Sequence, residues 1–436
     1  MSRFDGKTAA AVVIANMIGT GVFTSLGFQL ASIESGFVLL MLWAVGGVAA
    51  VCGAICYAEL GAAMPQSGGE YHFLGEIYHP AAGFISGWVS ATVGFAAPTA
   101  LAALTFGSYL ASVFPGLSAP VLATGLIVLL TLVHGSSHQR SGAAQSALTA
   151  LKLLLIAGFS LLALALADNP QPIAFTPSTG DGGLLLGGAF AVSLIYVNYA
   201  FSGWNAATYI SGELVQPQRT LPWVLLGSTT LVALLYLLLN AVFLYVAPIE
   251  ALRGKVEVGF VAAQYVFGES GAAVMGCLLA LLLISTVSAM ILAGPRVLHR
   301  IGHDIPAFSV LGQLNPHGIP QRAIVAQGLL SLLLLWTASF DRILVFSGAI
   351  MALNTLFAVA GIFVLRWRQP ALVRPYRITL YPLPPIVFLL ITGWTLFYTV
   401  QQRPAEAAIC LAVISSGAAF YWVSLRLNPP GGKETT

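Results

Sequence analysis

The chain has 436 residues, 58% of them hydrophobic and only 8% charged, where a soluble domain carries about 25% charged residues. The mean hydropathy is +0.89 and the net charge only +3, which together exclude a water-soluble enzyme, a disordered chain and a nucleic-acid binder. What remains is an all-α integral membrane protein, a single transmembrane domain over residues 1–436: a bilayer core of about 30 Å needs about 20 apolar residues per helix, and the runs are continuous rather than alternating as in a barrel.

Twelve such runs follow in chain order. Behind the two basic residues of MSRFDGKTAA, the first run, 8–33, continues past signal-peptide length, so no removable targeting segment is expected. Near its middle lies Ile18-Gly-Thr-Gly-Val22. The second, 37–63, holds Cys52 and Cys56 and ends near Glu59; all four cysteines read as small apolar packing residues. Runs 81–113 and 119–136 come next. His134 and His138 are four apart but lack a third ligand, so no metal site is expected. Run 144–167 carries Lys152 about two turns in, where a charge is costly. The sixth, 183–213, is too long for a straight span and contains Ala200-Phe-Ser-Gly-Trp204 before Glu213. Run 220–247 follows, and segment 256–268 is too short to span and is expected to lie on the outer surface as a short helix. Runs 271–299, 321–338, 341–366, 384–401 and 405–426 complete the set. Asn16, Asn198, Asn205, Asn240 and Asn354 are embedded amides whose default use is interhelical hydrogen bonding; Asn205 and Asn354 are best placed to reach a pocket.

Glycine costs about 1 kcal/mol in a helix interior. Two glycines flanking Thr20 in mid-membrane therefore mark a place where a helix can unwind. One small-residue patch is equally explained by close helix packing. Two such patches, in runs one and six, say more. A five-span offset gives the two halves opposite orientation, the plan of inverted-repeat transporters whose broken helices meet at the midplane. Half-helix N-termini attract anions and freed carbonyls attract cations. A ligand with a carboxylate and an ammonium on one carbon, an α-amino acid, suits both.

At these residues the chain resembles the amino acid–polyamine–organocation transporters, most of all their L-type exchanger branch. The matching stretches are Met17-Ile-Gly-Thr-Gly-Val-Phe23, CGAICYAELGAAMPQSGGEYHFLGEIY at 52–78, YAFSGWNAATYISGELVQPQRTLP at 199–222 and FAVAGIFVLRWRQPALVRPYRITLYPLPP at 357–385. The resemblance implies a LeuT-type fold of twelve transmembrane helices: a 5+5 inverted repeat (about 8–167 and 183–366) with discontinuous helices 1 and 6, plus two peripheral helices at about 384–426. It also implies a substrate site built from Met17, Ile18, Gly19, Thr20, Gly21, Tyr199, Ala200, Ser202, Gly203 and Trp204. Thr20 and Gly21 would meet the carboxylate, and the carbonyls of Met17, Tyr199, Ala200 and Ser202 the ammonium, with Tyr199 as an outer gate. Lys152 would replace the sodium ion of sodium-coupled relatives, with Ser285 and Ser288 as partner hydroxyls and Tyr236 approaching it. The family often has two acidic residues in a row where this chain has Glu213-Leu214.

The expected function is secondary transport of amino acids across the plasma (inner) membrane, sodium-independent, by exchange or proton coupling. No cofactor is expected, the partners are the amino acid and the lipid bilayer, and no single-span heavy subunit is assigned. A cationic amino acid or polyamine antiporter is the alternative; it would need an anionic or cation–π wall. Trp204 offers the latter, but no Asp or Glu is expected at pocket depth, which favours neutral L-amino acids. An intramembrane enzyme would need a nucleophile or acid–base constellation, and no paired carboxylates, Ser–His pairing or metal spacing is seen. A metal-ion transporter would want ligating side chains where Thr20 and Ser202 stand, and no filter motif suggests a channel.

With the N-terminus inside, fourteen of the eighteen Lys and Arg residues lie on the cytoplasmic side and four, Arg253, Lys255, Arg342 and Arg403, outside, as the positive-inside rule requires. Both termini and the loops around Arg140, Arg219, Pro306 and Arg374 should then be cytoplasmic, and the loops around Asp181 and Arg253 external. Single-cysteine labelling with an impermeant reagent checks this; external labelling beside Arg374 would reverse the assignment.

Overall fold

The computed structural model describes residues 5–136, 142–304 and 308–427; Arg3, Arg140, His138, Pro306 and Lys433 lie outside them. The described residues form helices and no strand. In order they are α1 (Gly6–Met17), α2 (Thr20–Gln29), α3 (Gly36–Ala63), α4 (Glu70–Ile77), α5 (Pro80–Val89), α6 (Ala96–Val113), α7 (Ala119–Ser136), α8 (Gly142–Leu166), α9 (Asp181–Leu185) and α10 (Gly188–Phe201). After these come α11 (Pro217–Val246), α12 (Ile249–Leu252), α13 (Val258–Asp304), α14 (Gln321–Thr337), α15 (Phe340–Arg368), α16 (Leu383–Gln402) and α17 (Pro404–Leu427).

Helix starts follow ordinary capping chemistry. The Asp5 carboxylate accepts from Thr8 N–H at 2.8 Å and opens α1, Ser35 caps α3 and Ser339 caps α15. His79 caps α5, whose first residue is Pro80. A π turn, Ser90–Gly94, joins α5 to α6. It ends four residues before Pro98, whose missing N–H and bulky ring disfavour a regular α-turn there.

Ten helical segments among the described residues are long and apolar enough to cross a membrane. Two of the twelve expected runs are not among them. Run 321–338 forms the 17-residue α14, and run 183–213 is divided into α10 and a 3-10 segment, Ala206–Glu213. Segment 256–268 forms the first part of α13, which breaks at Gly268, where φ is +68°. Large aliphatic side chains such as Leu132, Leu154 and Leu411 stand exposed on α7, α8 and α17, as an outer surface in hydrocarbon requires.

The broken elements sit at the centre. α3 packs along α11 and α6 along α13; α1 lies against α8 and α11, and α10 against α3, α15 and α16. One end of the bundle is tied by Glu59, 2% exposed at the end of α3. It takes a two-pronged contact from Arg366 at 2.9 and 2.6 Å and the Ile378 N–H at 2.8 Å, with Arg374 Nε 3.5 Å away. Arg366 also stacks 3.7 Å over the Tyr381 ring. Glu59 is thus held by arginines of α15 and the loop after it, while Glu213 is exposed and makes no ion pair among the described residues. Glu59→Gln removes the charge and strands Arg366, at a cost of about 2–3 kcal/mol for a partly buried pair. A lowered melting temperature in detergent is expected, with none for Glu213→Gln; equal melting of both variants would count against the tie.

Candidate functional site: two helix breaks facing one cavity

α1 stops at Met17 because Ile18 turns to φ −75°, ψ 84° and Gly19 to φ −132°, ψ −141°. α2 then starts at Thr20 with no side chain capping its first N–H groups, so these free donors carry the positive end of the helix dipole. α10 stops at Phe201. Ser202 is extended, Gly203 takes φ +99°, and the chain resumes as the 3-10 segment.

The two breaks interlock through their glycines. A Cβ on Gly21 would lie 2.4 Å from the Ala200 Cα. A Cβ on Gly203 would lie 2.8 Å from the Asn16 Cβ, and its positive φ is one that side-chain-bearing residues rarely adopt. Each break thus packs backbone-to-backbone on the other.

Unwinding frees carbonyls that hydrocarbon cannot leave unpaired. Lys152, 3% exposed, donates to Ile18 O at 3.0 Å and to Thr286 Oγ1 at 2.9 Å. Tyr236 OH donates to Met17 O at 2.6 Å and lies 3.2 Å from Ala200 O. Two expectations are corrected here. The hydroxyl that meets Lys152 is Thr286, not Ser285 or Ser288. At about 100° of rotation per residue, one step along α13 turns away from α8: Ser285 Oγ is buried without a partner, and Ser288 Oγ lies 2.8 Å from His134 Nε2 on α7. Tyr236 pins the two breaks together and makes no hydrogen bond to the lysine among those described.

A cavity of about 180 Å³ opens beside the breaks. Met17, Gly19, Thr20, Gly21, Tyr199, Ala200, Ser202 and Gly203 line it. Ile18 and Trp204 do not. Ile18 is fully buried with its carbonyl on Lys152. The Trp204 ring turns the other way, edge-on to Tyr57 at 4.7 Å and near Phe388, and lines an adjoining space of about 50 Å³ against α3 and α16. It therefore forms no cation–π wall in the larger cavity. Further walls come from Ser90, Gly94 and Pro98 around the π turn, Thr286, Met290 and Ala293 of α13, and Met351, Asn354 and Thr355 of α15. Asn205 and Asn354 both reach the cavity.

The expectation of no acidic residue at pocket depth is overturned by Glu70, and the preference for neutral over cationic substrates no longer stands on that ground. Glu70 lies on the cavity wall and is 1% exposed. Tyr57 OH donates to Glu70 Oε1 at 2.7 Å, Asn205 Nδ2 donates to the same oxygen and Tyr209 OH to Oε2. This stretch falls between the apolar runs 37–63 and 81–113 and is assigned no span. Gly68 and Gly69, both at positive φ, turn the chain so that α4 starts inside the bundle. The Gly-Gly pair before a Glu on a short amphipathic segment is the one local signal of it.

All lining residues lie at the breaks or on the α1 side of them. The α2 side is filled. Ser25 Oγ donates to Tyr196 O at 3.2 Å. Phe28 stacks between Tyr196 and Phe340 at 6.0 and 5.4 Å. Tyr196 OH donates to Asp341 at 2.5 Å, and Arg403 pairs with the same carboxylate at 2.9 Å.

Known proteins share this sequence over nearly its whole length. The chain is 30% identical to "Large neutral amino acids transporter small subunit 2" of Rattus norvegicus over 436 residues, covering 96% of this chain and 80% of the relative. It is 29% identical to "Asc-type amino acid transporter 1" of Mus musculus, with 96% and 80% covered. It is 27% identical to "b(0,+)-type amino acid transporter 1" of Mus musculus, with 94% and 85% covered. The profile of the family described as "Amino acid permease" matches residues 4–419, and with it the interlocked breaks and their cavity acquire a family: this chain belongs to the amino acid permeases.

Proposed function

We propose that the protein is a sodium-independent secondary transporter of neutral L-amino acids, held here with its cavity toward the cytoplasm. The observation that carries this reading is the meeting of two helix breaks at one cavity, an uncapped helix N-terminus on one side and backbone carbonyls on the other. The substrate carboxylate takes the Thr20 and Gly21 N–H groups. The ammonium takes the second lone pairs of carbonyls at the α10 break, at Tyr199, Ala200 and Ser202. Tyr199 stands between this site and the filled α2 side, in the place of an outer gate. Relatives named for large neutral and Asc-type amino acids support the neutral class.

The reading includes twelve spans: the ten apolar segments, the α10/3-10 pair and α14. Packing supports two inverted repeats, over about 8–167 and 183–366, with α16 and α17 peripheral. Under a five-span offset, α3 with α11 and α6 with α13 are self-paired. The contacts α1–α11 and α1–α8 exchange with α10–α3 and α10–α15. The protein sits in a plasma (inner) membrane, and the basic-residue bias supports both termini inside, so that the α1 side, where the cavity lies, faces the cytoplasm.

Lys152 is the fixed cation of the site. Its ammonium joins the first break to α13, the position where a coupling sodium ion would otherwise neutralise the same carbonyl. Uptake into liposomes should not change when sodium is replaced by choline, and comparison with and without internal amino acid distinguishes exchange from proton symport. Lys152→Ala leaves Ile18 O and Thr286 Oγ1 unpaired, about 1–3 kcal/mol, and should weaken substrate affinity or slow turnover. Sodium dependence in the wild type, or full activity in the alanine variant, would defeat this role.

Gly21 is tested separately. Gly21→Val drives a branched side chain into the Ala200 backbone and parts the breaks, so ligand-induced thermal stabilisation in detergent should vanish while the protein stays monodisperse. Stabilisation at wild-type affinity would remove Gly21 from the site.

A further inference from the structure

We propose that Glu70 is a second polar subsite of the cavity, which receives a hydrogen-bond donor on the substrate's side chain and rejects acidic side chains. The proposal deepens the transport reading and rests on it. Glu70 is the one carboxylate among the residues that line the cavity, and among the described residues it makes no ion pair. Burying a carboxylate without a cation is costly, and here its oxygens are met by three donors from two elements, Tyr57 on α3 and Asn205 and Tyr209 beyond the α10 break.

An anchor for the 3-10 segment does not require that charge. A glutamine in this place could meet the same hydroxyls, and the loop before Glu70 is already fastened to the segment by Ser211 Oγ on Gln66 O at 2.8 Å and Gly212 N–H on Ser67 Oγ at 2.9 Å. The charge acts on what enters the cavity. Among the described residues Oε1 takes two donors and Oε2 one; a carboxylate has room for about four, which leaves a lone pair of Oε2 for a donor on the substrate. The cavity is then polarised twice, by the α2 N-terminus toward the substrate carboxylate and by Glu70 toward a donor elsewhere on the substrate. A side-chain amide, imidazole or hydroxyl gains a charge-assisted hydrogen bond, about twice as strong as a neutral one. An aliphatic side chain gains nothing, and a side-chain carboxylate is repelled.

The test is liposome uptake of alanine, leucine, glutamine, histidine and glutamate by the wild type, Glu70→Gln, Glu70→Asp and Tyr209→Phe. The wild type should take glutamine and histidine with KM values lower, relative to leucine, than Glu70→Gln does, the ratio changing roughly five- to tenfold on loss of the charge. Glutamate should fail to compete in the wild type and in Glu70→Asp, and compete in Glu70→Gln. Tyr209→Phe removes a donor but keeps the charge, so it should keep the wild-type discrimination. A rise in KM of equal size for all substrates in Glu70→Gln, or the same loss of discrimination in Tyr209→Phe, would overturn the subsite in favour of an anchor. Unchanged discrimination in Glu70→Gln would overturn it outright. Absence of amino acid uptake by the wild type would overturn the transport reading beneath it.

Discussion

The constraint on which this structure depends is that a broken helix in hydrocarbon must find partners for every backbone group it frees. The α1/α2 break releases the carbonyls of Met17 and Ile18 and the first N–H groups of α2. A single ammonium, Lys152, takes Ile18 O, and a single phenol, Tyr236, takes Met17 O. Both come from helices packed on α1. The carbonyl side of the break is thus satisfied by the protein, while the N–H side faces the cavity. That asymmetry turns a packing defect into a binding site: the groups left over are donors at the positive end of a helix, suited to an anion.

The two breaks also supply each other's space. Gly21 against Ala200 and Gly203 against Asn16 bring backbone onto backbone with no side chain between, and Tyr236 reaches Ala200 O as well as Met17 O. The breaks are therefore joined to each other and to α11, and a substrate bound as proposed would add to a joint already made. For the proposed site this is economical in entropy, since its groups are ordered before a ligand arrives.

Much of this was legible in the sequence because glycines at membrane depth have few explanations. Gly19, Gly21 and Gly203 marked the breaks, and helix ends fell within a few residues of the apolar runs, the fused 258–304 helix and the divided sixth run apart. What the sequence could not supply was rotation. Ser285, Thr286 and Ser288 are all hydroxyls within four residues, and the one that meets Lys152 is fixed by how α13 packs on α6 and α8. Trp204 adjoins the break and reads as a pocket wall, yet one more turn of backbone sends it toward Tyr57 and Phe388. Glu70 was hidden for a different reason. Polar loops read as solvated, and only the fold reveals that this one re-enters the bundle to meet Asn205 and Tyr209.

The two ends of the site differ in what it costs to open them. On the α2 side, Asp341 and Arg403 are 25% and 34% exposed, so their pair is worth about 1 kcal/mol or less. The Phe28 stack with Tyr196 and Phe340 adds about 0.5–1.5 kcal/mol per ring pair. The sum is about 1–4 kcal/mol, below the roughly 5.5 kcal/mol of differential binding that moves a two-state equilibrium from 1:99 to 99:1. The ties at Lys152 and Tyr236 are buried, and losing a partner there strands polar groups away from water. A molecule built in this way opens at the aromatic and ionic plug and keeps its central joint. Alternating access in the proposed transporter would part the plug between α2, α10 and α15 and leave the interlocked breaks joined.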